Sequence, residues 1–174
     1  MKNTVILLFV MALTLICVVG CMGLQPKNTD LEGGKPPKVQ IQIDKRIYKT
    51  KLGTYCWTTS CVDSAGPVEL LKGKEPIPVK PGDVVKFLMK YEPQPNKFHV
   101  EQFYEGRLTE VLLKENSFQV PTEKGTYFYS YGVWWMDEDI ENQSRGDAFY
   151  HFALKVIEIK ITNATRWYHK NRLP

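Results

Sequence analysis

The residues best suited to hold a ligand are aromatic and acidic. Three of them, Trp57, Asp63 and Trp135, lie in segments that read as connections between strands. Aromatic rings offer flat apolar platforms to sugars, peptides or proteins, and a carboxylate nearby adds a hydrogen-bond acceptor. Trp134 and Trp135 are adjacent, so in a half-buried strand they point to opposite faces and one must be partly exposed. Two readings stand for these aromatics: contact with a ligand, or packing that closes the open end of a core. Catalytic signals are weak. His99, His151 and His169 occur singly, without ligand spacing, and no nucleophile-elbow glycines, HExxH pair or phosphate-binding glycine loop is present. Asp63 and Glu69 are a carboxylate pair that an unrecognised hydrolase could use. Asp137-Glu138-Asp139-Ile140-Glu141 has oxygen ligands for calcium but lacks the glycine and spacing of an EF-hand loop, so it reads as a solvated loop. Arg145-Gly146-Asp147 spells an adhesion tripeptide that turn chemistry before a strand explains equally well.

Sulfur chemistry is more specific. Val18-Val19-Gly20-Cys21 follows a basic start at Lys2 and an apolar run from Val5 to Val19, the order of parts in a bacterial lipoprotein signal. The run is shorter than the roughly 20 apolar residues that a membrane-spanning helix needs. Cleavage before Cys21 and acylation of its sulfur are therefore expected, with the remainder on the extracytoplasmic face of the cell membrane. Cys17 then leaves with the signal, and Cys56 and Cys61 are the two thiols that remain. In an oxidising compartment such a pair closes a small disulfide loop. A redox or metal-handling role for Cys56 and Cys61 is the competing reading.

The elements that must position these groups are strands. Val39, Ile41 and Ile43 alternate with polar residues, and so do Val85, Phe87, Met89 and Tyr91. Pro81-Gly82-Asp83 and Glu105-Gly106 read as turns, the second joining a hairpin whose return strand runs from Arg107 to Leu113. Thr126 to Trp134 is the most aromatic strand, and Ala148 to Val156 again has period two. Ile157, Ile159 and Ile161 stand on the opposite phase, which predicts a bulge or strand end at Val156. Thr58 to Lys74 reads as a long irregular connection, with one helical turn at Val68 to Leu71, and the whole of Thr54 to Lys74 is a natural place for function. The formal net charge of +4 falls to +3 once Lys2 is removed, too mild to imply nucleic-acid binding. Residues 1–20 are thus expected as signal peptide, 21–37 as flexible tether, 38–162 as one immunoglobulin-like β-sandwich and 163–174 as a basic aromatic tail.

Gly53-Thr54-Tyr55-Cys56-Trp57 with Cys61-Val62-Asp63, the Pro81-Gly82-Asp83 turn, and Gly125-Thr126-Tyr127 with Trp134, Gly146-Asp147, Tyr150 and Phe152 carry a resemblance. The chain resembles small lipoproteins of Bacillus-type Gram-positive bacteria with an immunoglobulin-like β-sandwich domain. The resemblance implies an address and a fold and brings no activity, cofactor or catalytic residue. The expected function is a membrane-anchored, non-enzymatic module that binds an envelope protein or glycan through Trp57, Asp63 and Trp135.

Overall fold

The structure is a computed structural model and describes residues 31–157. The expected signal, the acylated Cys21 and the basic tail lie outside the described residues. Strands β1 (Val39–Ile43), β2 (Arg46–Lys49), β3 (Lys51–Trp57) and β4 (Ser60–Val62) are followed by the short helix α1 (Pro67–Leu70). The chain continues through β5 (Ile77–Val79), β6 (Val84–Met89), β7 (Lys97–Tyr104), β8 (Arg107–Glu110), β9 (Ser117–Gln119), β10 (Gly125–Met136) and β11 (Ser144–Val156).

Two sheets pack face to face as an all-β sandwich, with the order β2-β1-β6-β9 in one and β4-β3-β11-β10-β7-β8 in the other. Strand β5 joins the larger sheet by pairing parallel to the end of β11, while the other pairings are antiparallel. Period two decides the interior. Val39, Ile41 and Ile43 from one sheet meet Tyr127, Tyr129, Tyr131 and Val133 and Tyr150, Phe152 and Leu154 from the other. Rings interlock across this seam, with Phe87 stacked on Tyr131 at 3.8 Å and Tyr129 on Phe152 at 5.0 Å. Stacked rings add a little to the large area that each aromatic buries. The β7–β8 hairpin turns on Glu105 and Gly106, both at positive φ, the backbone that a two-residue hairpin of this twist requires.

Three expectations change. The segment from Thr58 to Lys74 is not one irregular connection, because Cys56 pairs with Cys61 across a β3–β4 hairpin and α1 follows. The return strand after Glu105-Gly106 ends at Glu110, short of Leu113, and an additional short strand, β9, follows it and pairs with β6 in the smaller sheet. Residues 31–37, expected within the tether, are docked. Leu31 packs on the core, Pro36 is buried, and the Tyr150 hydroxyl donates to the Pro37 carbonyl at 2.5 Å. Tyrosine and tryptophan at the end of the core need acceptors for their polar atoms, and the backbone of this strap supplies them. The expected strand end at Val156 is where β11 stops, while Ile159 and Ile161 lie outside the described residues.

Candidate functional site

The expected ligand residues come first. Trp57 is only 1% exposed and Trp135 only 3%, so both belong to the core and neither presents a platform. The Trp57 Nε1 donates to the Gly33 carbonyl at 3.0 Å, and the Trp135 Nε1 donates to the Pro93 carbonyl at 2.6 Å. Their rings meet edge to face at 4.8 Å, with Tyr91 against both. Packing explains these two tryptophans. Asp63 is exposed just beyond β4, and with Trp57 and Trp135 sealed inside, the three form no common surface. The reason is the phase of the strands: Trp57 and Trp135 point between the sheets, so Trp134 is the one that points out.

The outer face of the larger sheet is where exposed chemistry collects, and strand register lays it out in rows. One row runs Cys61, Cys56, Asp147, Trp134, Lys97 across β4, β3, β11, β10 and β7. The next runs Phe149, Gly132, His99, and the one after it Lys51, His151, Ser130, Glu101, Glu110. A further row places Ala153, Phe128, Phe103 and Leu108 together, with Leu108 more than half exposed. Trp134 and Phe149 are partly exposed and meet edge to face at 5.3 Å. Between them lies Gly132. A Cβ there would stand 2.7 Å from Trp134 Cη2 and 2.9 Å from Phe149 Cε1, so the absent side chain is what lets the two rings meet over that position.

Polar groups border this aromatic pair. The disulfide joins Cys56 and Cys61, and its hairpin holds one end of the first row. The Cys56 amide donates to Asp147 Oδ1 at 3.3 Å, while burial raises the Asp147 carboxyl above its usual range against the lowering effect of that bond. On the other side His99 stands between two carboxylates, with Nε2 3.5 Å from Glu101 and Nδ1 3.3 Å from Glu110. Thus a partly exposed apolar patch is flanked by acceptors and by an imidazole.

The acidic loop is self-contained. Asp137 accepts from Arg145 Nε at 2.8 Å and from the amides of Asp139 and Ile140, and the arginine bond, first among these causes, lowers its carboxyl pKa. Among the described residues no group of three or more His, Cys, Asp or Glu is placed to hold a metal ion. The tripeptide Arg145-Gly146-Asp147 lies within β11 rather than in a turn, with Arg145 on Asp137, Gly146 buried near Leu31, and Asp147 on Cys56. The carboxylates of Asp63 and Glu69 are both on exposed residues.

His151 is a residue whose importance the sequence understated. It is 4% exposed, its Nδ1 has no hydrogen-bond partner, and burial pushes its pKa down to about 4. A Cβ on Gly53 would sit 2.2 Å from its Nε2, so that glycine leaves the room the ring occupies. For Trp134 and Phe149 a signal did exist: each is a large aromatic on the outward phase of a strand whose inward phase is already apolar. No known protein family matches this chain, and no curated protein is significantly similar to it.

Proposed function

We propose that this chain is an extracytoplasmic binding module, held at the membrane by a lipid on Cys21, whose ligand is an envelope glycan lying on the outer face of the larger sheet. The observation that carries the reading is the Trp134–Phe149 pair laid over Gly132. Partly exposed rings keep apolar area in water, and a sugar ring can cover it with its C–H face. The hydroxyls of that sugar would find acceptors at Asp147, Glu101 and Glu110 and a mixed donor–acceptor at His99. In this reading the site binds without reacting, its imidazole held between Glu101 and Glu110. No helix among the described residues is long and apolar enough to cross a membrane. Anchoring through Cys21 supplies the membrane contact in this reading.

The test is sedimentation of the full chain with insoluble envelope polysaccharide. Trp134→Ala should weaken retention by at least about tenfold, the scale of an aromatic anchor in a binding surface, with an unchanged melting curve. Retention equal to that of the unaltered chain would end the proposal.

A further inference from the structure

A cavity open to solvent lies away from the aromatic face, between α1 and the sheet edge where β2 passes into β3. Its volume is about 220 Å³, and it is lined by Lys49, Lys51, Lys74 and Glu75 together with an apolar set that includes Leu71 and Ala153. His151 lines it as well. A cavity of about 150 Å³ holds a benzene ring, so this one has room for a ring of that size with one polar substituent.

Three features select its occupant. The apolar lining favours a hydrocarbon body. Three lysines against one glutamate make the lining cationic, which attracts an anion. The volume limits the occupant to about one ring, and the His151 Nδ1, buried out of a ligand's reach, takes no part. Amines are disfavoured by the lysines, and a large glycan by the volume.

We propose that this cavity is a binding site for a small apolar carboxylate, with the Lys49–Lys51–Lys74 set as the polar contacts. The site is independent of the glycan face: Trp134 and Phe149 take no part in its lining.

Benzoate is the probe, with benzyl alcohol as its uncharged counterpart, and the full chain is followed by nuclear magnetic resonance. Benzoate should shift the His151 ring and the amides of Leu71 and Ala153 saturably, and benzyl alcohol should bind at least about fivefold more weakly. Lys51→Gln with Lys74→Gln, both on exposed residues and safe for folding, should bring benzoate down to the level of the alcohol. Ala153→Leu should fill the cavity and abolish both shifts. No saturable shift up to about 20 mM benzoate overturns the site, since that range covers even weak fragments. Equal binding of acid and alcohol, or indifference to the lysine substitutions, overturns its anionic selectivity and with it the proposal.

Discussion

Two aromatic groups in this molecule use the same contact for opposite ends. At the end of the core, Trp57, Tyr91 and Trp135 meet edge to face, and the strap from Leu31 to Gly33 closes over them. Trp57 Nε1 donates to Gly33, and the Glu32 amide donates to the Tyr91 hydroxyl at 2.7 Å. On the outer sheet, Trp134 and Phe149 meet at a similar angle over Gly132 and remain partly exposed. The first group has its polar atoms satisfied and its two tryptophans sealed, so it stabilises. The second keeps part of its apolar area in water, which the proposed glycan would cover. Tryptophan type and edge-to-face geometry alone therefore do not mark a site; the covering layer does.

The largest effect should come from the sealed group. Trp57→Ala should cost about 3–5 kcal/mol, because it empties a fully buried site and orphans the Gly33 carbonyl, and denaturant unfolding reads it directly. A loss below about 1 kcal/mol would erase the contrast between the two groups, since that is the range of surface substitutions.

Next in size is the acid response of His151. Its folded pKa of about 4 lies below the ordinary histidine value of 6.5, so between these pH values the unfolded chain takes a proton that the folded chain refuses. Stability is full above about pH 6.5 and falls as pH drops, with the loss complete near pH 4 at about 3 kcal/mol. Lys51 faces it across the β3 register, and Lys49, Lys74 and Glu75 line the same cavity. Asp147, whose pKa is raised, acts with the opposite sign at the acid end, protonating first in the folded chain. His151→Leu should flatten the slope between pH 6.5 and 4, and an unchanged slope would assign it to other groups.

Replacing Cys56 and Cys61 together by serine should cost about 2 kcal/mol, the loop-entropy scale for so short a closure. The same change should loosen the first row of the outer face and weaken glycan retention less than Trp134→Ala does. The smallest stability effect belongs to Trp134→Ala, within about 1 kcal/mol. Large destabilisation there, without loss of retention, would mean that the outer pair is packing after all.

Much of the architecture was legible in the residues. Alternation in Val39–Ile43, Val84–Met89 and Ala148–Val156 gave the strands and their inward faces, and Gly106 and Gly82, both at positive φ, stand at predicted turns. The Cys56–Cys61 pairing followed from elimination and is present. The site is legible only in part: adjacency of Trp134 and Trp135 implies that one faces out, and strand phase by itself does not say which.

Sequence by itself determined the strands, their period, the disulfide partners and the rule that neighbouring tryptophans oppose each other, because these depend on local geometry and on which thiols remain. Tertiary structure alone decided which face of β10 the smaller sheet covers, and so which tryptophan is exposed. It likewise decided that residues 31–37 dock instead of trailing, and that α1 lies over a histidine that alternation would leave in solvent. A strand has two equivalent faces until something packs on one of them, and what packs here arrives from distant parts of the chain.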